Sequence, residues 1–277
     1  MTGPVVVGSD TSGVPLSWAL EWCSSTGDEL VVASALHPDQ AEMPPDWHDE
    51  LIASARSDLE ARIGVLEGSS PPAHRSLILD GDPSDIITQV ADDEAASLVV
   101  IGARGDGGFH SLGLGGVAHH LSHHLHRPLV IVPHAGGPLQ GGTIVVGIDG
   151  SDESTTAAKW AVDAARRVGG SVHTVYAYDP AADSYGHGDV VNRKERGEVD
   201  ARAQAHALEG QGVKIEITVI GAHPVEALID VGNQVNASLI VSGTKGQGGF
   251  HGMVLGRVPA QLPHHAGRPV ALIHHDG

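Results

Sequence analysis

The sequence predicts an α/β fold made of two tandem domains, each a five-stranded parallel sheet with helices on both faces. Three observations carry this. The stretch Gly102-Ala-Arg-Gly-Asp-Gly-Gly-Phe-His-Ser-Leu-Gly-Leu-Gly115 recurs 141 residues on as Gly243-Thr-Lys-Gly-Gln-Gly-Gly-Phe-His-Gly-Met-Val-Leu-Gly256, so one unit of about 135–140 residues was built twice. Short apolar runs alternate with helix-length segments throughout both halves, the pattern of a buried parallel sheet. Hydrophobic residues make up 41% of the chain but aromatics only 3%, so the cores are built from Val, Leu, Ile and Ala.

The elements follow in order. Residues 4–8 and 143–147 read as buried first strands, running into Gly8-Ser9-Asp10 and Gly147-Ile148-Asp149. Helices follow, with Ser12 and the Ser151-Asp152 pair as their cap regions, and they carry Trp18 and Trp160 to pack on the sheet. Next come strands 29–35 and 171–177, helices about 47–66 and 189–208, strands 75–79 and 213–219, and helices 84–95 and 225–236. Strands 97–101 and 238–242 then lead into the glycine loops, a helix each, and last strands 128–132 and 269–273. The Gly-rich stretch 136–142 is the linker between domains 1–135 and 143–277. The Pro- and Asp-rich loop 36–48 and the Gly-, Asp- and Tyr-rich loop 179–188 are the longest, and surface crossing accounts for both.

Charge and composition narrow the function classes. A formal charge of −18 opposes long-range attraction to nucleic acid or an anionic membrane, so neither is expected as a partner. A small anion is still admissible, because helix N-termini and local cations act inside the screening length. Cys23 is the single cysteine, which excludes an intrachain disulfide and reads as a small buried helix residue. The chain begins Met-Thr-Gly-Pro and enters the apolar Val5-Val6-Val7 without a basic leader or a long apolar run, so a cytoplasmic protein is expected.

The spacing Gly102-x2-Gly105-x9-Gly115, with Val5-Val-Val-Gly-Ser-Asp10 before it and Arg127-Pro-Leu-Val-Ile-Val132 after it, closely resembles the universal stress proteins. The second half resembles them through Ile144-Val-Val-Gly-Ile-Asp149, Gly243-x2-Gly246-x9-Gly256 and Arg268-Pro-Val-Ala-Leu-Ile273. The resemblance implies two doubly wound, Rossmann-like sheets of strand order 3-2-1-4-5 and an adenine nucleotide as ligand, ATP with or without Mg²⁺. It also implies last strands that pair across a dimer, which a tandem chain can do internally as a pseudo-dimer, with a further homodimer open.

In that strand order the crevice between strands 1 and 4 is the topological switch point, where open α/β sheets bind ligands. Asp10 and Asp149 end the first strands; each either accepts hydrogen bonds from a ribose hydroxyl or adenine edge, or caps the loop before the next helix. Gly102, Gly105 and Gly115, and their counterparts Gly243, Gly246 and Gly256, let a loop wrap phosphates that face the amides opening the next helix. By resemblance, Ala35 and Ala177 supply backbone contacts to adenine. Ser9, Ile101, Gly116 and Val117 complete the candidate set in the first half. Arg104 and Lys245 occupy equivalent loop positions, either near the phosphates or as solvated cations.

The family pattern expects Ser or Thr directly after the third glycine; this chain has Gly116 in one half and Arg257 in the other. Gly116 keeps its amide but lacks a hydroxyl, a loss of roughly 0.5–1.5 kcal/mol. Arg257 either donates in place of the hydroxyl or fills the phosphate pocket. Pro259 removes an amide from the second helix's first turn, and Pro263 is expected to kink or end that helix. Asp106 places a negative charge in the first loop where Gln247 sits in the second, yet the balance favours a site in the first half.

His119, His120, His123, His124 and His126 crowd one helix, with i,i+4 pairs on shared faces. Such pairs can carry adventitious zinc or nickel affinity, but no Cys or carboxylate alternates with them, so a solvated or interface face is the first reading and a specific metal site the second. His110 and His251 follow Gly-Gly-Phe in both copies, yet nothing pairs them with a nucleophile and base. The chain has no Gly-x4-Gly-Lys-Ser/Thr loop, so it lacks the apparatus for rapid NTP hydrolysis and is not expected to be an enzyme. Three readings stand: an ATP-binding regulator of the stress response, a nucleotide-independent stress-response scaffold with degenerate phosphate sites, and a slow ATPase, in that order.

Overall fold

The computed structural model describes residues 3–36, 45–67, 72–105, 113–134, 136, 139, 141–178, 190–208, 212–246 and 255–275. The chain divides into two compact units, Met1–Gly136 and Gly137–Gly277. In unit 1, strands β1 (Val5–Gly8), β2 (Leu30–Leu36), β3 (His74–Asp80), β4 (Leu98–Gly102) and β5 (Leu129–Val132) alternate with helices α1 (Val14–Thr26), α2 (Pro45–Glu67), α3 (Pro83–Asp93) and α4 (Gly116–His124). Unit 2 repeats this with β6 (Thr143–Ile148), α5 (Asp152–Val168), β7 (Ser171–Tyr178), α6 (Val190–Leu208), β8 (Ile215–Gly221), α7 (Pro224–Gln234), β9 (Leu239–Gly243), α8 (Arg257–His265) and β10 (Val270–Ile273).

All pairings within each unit are parallel. Unit 1 runs β3-β2-β1-β4-β5 and unit 2 runs β8-β7-β6-β9-β10, the expected 3-2-1-4-5 order twice over. A parallel sheet needs crossover helices on its faces, so its central strands are covered on both sides and read as unbroken apolar runs. Val5, Val6, Val7, Val99 and Val100 are fully buried, as are Ile144, Val145, Val146, Ile240 and Val241. Their burial is the principal hydrophobic contribution to each core.

The helices end where local chemistry says they should. Gly27 and Gly169 adopt left-handed C-caps after α1 and α5, a conformation that favours glycine. Asp82 caps α3 by accepting from the Ser84 amide at 2.8 Å, and Ser151 caps α5 by accepting from the Ser154 amide at 3.1 Å. At α1 the expected cap shifts by one residue: Gly13, at φ 70°, is the N-cap, and the Ser12 hydroxyl instead receives the Val14 amide at 3.2 Å. The tight left-handed step at Gly13 lets the chain turn from strand to helix within a few residues. Trp18 and Trp160 are buried as expected, and Trp18 stacks on Trp22 at 5.5 Å. Cys23 is fully buried in α1. Of the two long loops, residues 37–44 and 179–189 lie outside the described residues. The expected linker includes the buried Leu139, and the Gly141 and Gly142 amides bond to the Val168 and Leu139 carbonyls.

Edge strands carry charge. Arg75 on β3 pairs with Glu29 at 2.9 Å and with Glu94, and Lys214 precedes β8, where Glu216 pairs with it. Charges on such edges oppose pairing with stray strands. His173 on β7 is buried, with Nε2 within 2.8 Å of Thr218 Oγ1 and Nδ1 3.5 Å from Glu216 Oε2. Burial pushes its pKa below the ordinary 6.5, against the opposing pull of Glu216. Its native ring therefore stays neutral where the unfolded chain already takes up a proton, so stability falls as pH drops below 6.5 toward the folded pKa. Urea melts at a series of pH values are expected to show this slope in the wild type and a shallower one in His173→Asn.

Candidate functional site

The parallel pairing of β1 with β4, in register Val5–Leu98 through Val7–Val100, creates the switch point of unit 1. Two loops leave it. From β1 the chain passes through Ser9, whose amide bonds to Ala33 at 2.9 Å, to Asp10. One carboxylate oxygen of Asp10, Oδ1, accepts from Ser12 Oγ at 2.8 Å and from the Gly13 amide at 3.0 Å. The other, Oδ2, lies over Gly102 at the end of β4, so close that a Cβ there would meet it at 2.6 Å. One oxygen of Asp10 thus organises the loop before α1, and the other borders the crevice.

The glycines behave differently from one another. A side chain at Gly102 would also meet the Arg104 carbonyl at 3.0 Å, whereas Gly105 has open space around it. Gly115 packs on the Arg104 backbone, with 3.3 Å between its would-be Cβ and Arg104 Cα, and its amide bonds to Ala103 at 2.9 Å. Arg104 Nε donates to the Gly113 carbonyl at 3.3 Å, tying the two ends of the glycine loop together. Residues 106–112, which include Asp106 and His110, lie outside the described residues. Behind the buried Ile101, the Ala103 amide bonds to Val132, so the loop base is fastened to β5.

Gly115 is the N-cap of α4 and supplies no side-chain hydrogen bond. The first intrahelical bond here runs from the His119 amide to the Gly115 carbonyl at 2.9 Å. Helix geometry thus leaves the amides of Gly116, Val117 and Ala118 without an intrahelical partner at the positive end of the helix dipole. Gly116 is exposed, with nothing within 4 Å of a would-be Cβ, and Val117 is half-buried. Ala35, half-buried on β2, sits two residues beyond the Gly8–Ala33 pair, on the same side of the crevice as Asp10.

Unit 2 keeps the scaffold and changes the site. Asp149 Oδ1 accepts from the Ser151 amide at 3.0 Å and hydroxyl at 2.5 Å, but its Oδ2 lies against Gly246 rather than Gly243. Gly243 is instead covered by Glu153 from the first turn of α5, 3.1 Å from a would-be Cβ. Two acidic residues, Asp152 and Glu153, open α5, whereas the first turn of α1 has none. Pro259 leaves α8 with two first-turn amides, of Arg257 and Val258, where α4 offers three. Gly256 bonds through its amide to the buried Thr244 at 2.8 Å, so the loop base survives.

Arg257 is exposed at the first position of α8, which disfavours the pocket-filling alternative. Lys245 is exposed as well. Pro263 does not end α8: the helix continues to His265 and matches the nine residues of α4. Its buried ring sits in the last turn, where the lost donor affects a single bond. Ala177 lies just past the Ile148–Tyr176 pair on β7, between Tyr176 and Tyr178. Gln247 and His251 lie outside the described residues. A groove of unit 2 between α7 and α8, lined by His223, Val225, Glu226, Ile229, Gln261 and His265, contains none of the candidate residues.

Arg62 and Glu153 are the residues that the sequence pattern missed. Arg62, on α2, donates to the Asp10 carbonyl and lies 3.4 Å from a would-be Cβ at Gly13, so it brings a cation to the site from 52 residues away. No motif marks it. Glu153 was visible only as a favourable first-turn acid, and its closeness to Gly243 is a product of folding.

The two glycines of the first loop make a test. Gly102→Ala must displace either the Asp10 carboxylate or the Arg104 backbone, and is expected to lower stability by about 1–3 kcal/mol. Gly105→Ala, in open space, is expected to be neutral or slightly stabilising. Urea unfolding of both variants measures the contrast.

The comparisons agree with this geometry. The sequence pattern of the universal stress protein family matches residues 4–133 and again 142–274. A universal stress protein of Mycobacterium tuberculosis strain CDC 1551 is 29% identical over 237 residues, 80% of this chain and 74% of the relative. A second from that strain is 26% identical over 293 residues, 96% of this chain and 94% of the relative. The crystal structure of a universal stress protein from Archaeoglobus fulgidus DSM 4304 shares the fold, with TM-score 0.72 and 18% identity over 99% of this chain and 96% of that one. The chain therefore belongs to the universal stress protein family, as a tandem of two such domains.

Proposed function

We propose that this protein is an ATP-binding regulator of the stress response, with unit 1 holding the nucleotide and unit 2 serving as a structural partner domain. The observation that carries this is the pairing, at one switch point, of the Asp10 carboxylate over Gly102 with the three uncapped amides of Gly116, Val117 and Ala118. A carboxylate accepts from a ribose hydroxyl or an adenine amino edge but repels phosphate, whereas a helix N-terminus attracts phosphate. The two ends of the crevice are thus suited to the two ends of one nucleotide.

Asp10 would take the sugar or base, with Ser9 and the Ala35 backbone beside it. The loop from Gly102 through Gly105 to Gly115 would take the triphosphate, with Arg62 and Arg104 as nearby cations and Mg²⁺ as a counterion carried by the ligand. The sequence has no Gly-x4-Gly-Lys-Ser/Thr loop, which favours a binding and signalling role over rapid hydrolysis. Occupancy would alter the surface offered to a regulatory partner.

In unit 2, the backbone and Cβ of Glu153 close over Gly243, bringing an acidic residue to the end of β9, and Pro259 removes a phosphate donor. Both features favour the scaffold reading for this half alone.

Calorimetry with ATP and Mg²⁺ tests the assignment. Asp10→Ala is expected to weaken binding by the worth of a hydrogen bond to a charged group, about 1.5–3 kcal/mol, or roughly ten- to hundredfold. Asp149→Ala should leave affinity unchanged. Absence of binding by the wild type at millimolar nucleotide would sink the proposal. Gly116→Ser, which restores a hydroxyl in open space, is expected to tighten binding by up to about tenfold.

A further inference from the structure

We propose that His119 and His123 on α4 form a clamp for a divalent transition metal of the zinc, nickel or copper class. The two residues are one turn apart, and their rings stack with centroids 4.5 Å apart. Histidines at i and i+4 on one helix face can ligate a single metal ion through their imidazoles, the remaining positions being filled by water or another ligand.

The tautomer of His123 is already set for this. Its Nδ1 lies 2.8 Å from the His119 carbonyl oxygen, which can only accept, so Nδ1 carries the hydrogen. Nε2 is then left with its lone pair. Metal-ligating histidines are commonly prepared in this way, by donating the distal N–H to a backbone carbonyl. Ser122 Oγ also donates to the His119 carbonyl, at 2.8 Å, and sits 3.2 Å from His123 Nδ1, which further fixes the ring. His119 is exposed and His123 half-buried, so solvent metal can reach the pair.

The surroundings favour a cation. The chain's net charge of −18 raises the local concentration of divalent ions. Across the helix, His120 and His124 form a second pair with centroids 4.6 Å apart, tilted 39°. His120 faces the Asp82 carboxylate, which lies below the usual carboxylate range mainly through the Ser84 amide. That second pair has no comparable tautomer-fixing bond among the described residues, so the first is the stronger clamp.

The internal repeat supplies a contrast. On α8 the equivalents of His123 and His124, His264 and His265, are present, but Ala260 and Gln261 stand where His119 and His120 stand on α4. The i,i+4 pairing thus exists in one copy only. Its structural consequence follows from the helix itself. α4 is nine residues long and begins with glycine, a poor helix former, so a metal linking residues one turn apart would stabilise it.

Titration of tag-free, full-length protein with ZnCl2 or NiCl2, without nucleotide, tests the clamp independently of the ATP proposal. Wild type is expected to bind, His119→Gln and His123→Gln each to weaken binding about tenfold or more, and His264→Gln to match wild type. Circular dichroism without metal checks that the variants keep the fold. Failure of the wild type to bind either ion, unchanged binding in the double variant His119→Gln/His123→Gln, or loss of binding on His120→Gln with His119→Gln unaffected would each overturn the assignment.

Discussion

The site of unit 1 depends on the missing side chain of Gly102. Because β1 and β4 are hydrogen-bonded neighbours, the loops that leave them are forced together, and whatever ends β4 must share space with Asp10. Only a residue without a Cβ allows the carboxylate oxygen to lie over the strand end while its partner oxygen holds Ser12 and Gly13. The sharp turn into α1, the position of Asp10 and the floor of the crevice all follow from that vacancy. The sheet fixes the distance between strand ends, and the glycine makes that distance usable.

Duplication then let the two copies diverge while the fold stayed the same. Both loops keep their three glycines, and both third glycines bond back to the residue after β4 or β9, Ala103 or Thr244. Around that common base the chemistry separates. Unit 1 brings Arg62 and three helix amides toward its crevice, whereas unit 2 brings Glu153 and gives up an amide to Pro259. An acidic residue packed on the strand end and a missing donor both act against a phosphate, so their effects reinforce one another.

Glycine spacing was legible because backbone conformation is a local constraint that a short motif can express. The strand order could be inferred from the resemblance, and the alternation of apolar runs with helix-length segments showed which strands are parallel. Helix caps were harder: Ser12 has the right chemistry and lies one residue from the true cap, since the left-handed turn at Gly13, held by the Asp10 carboxylate, moves the helix start past it. Of the two effects expected of Pro263, a kink or an end, α8 does not end there, because the cost of a proline depends on where in the helix it falls and Pro263 lies in the last turn.

What the sequence by itself determined is therefore the part set by local preference and period: two α/β repeats, their strands, the glycine loops and the aspartates that end β1 and β6. What only the tertiary structure decided is which groups face those loops. Arg62 reaches Asp10 across 52 residues, Asp149 shifts from the first glycine to the second, and Glu153 packs its backbone and Cβ on Gly243. These are meetings between residues on separate elements. Their geometry depends on how each helix packs on its sheet, and no spacing along the chain records it.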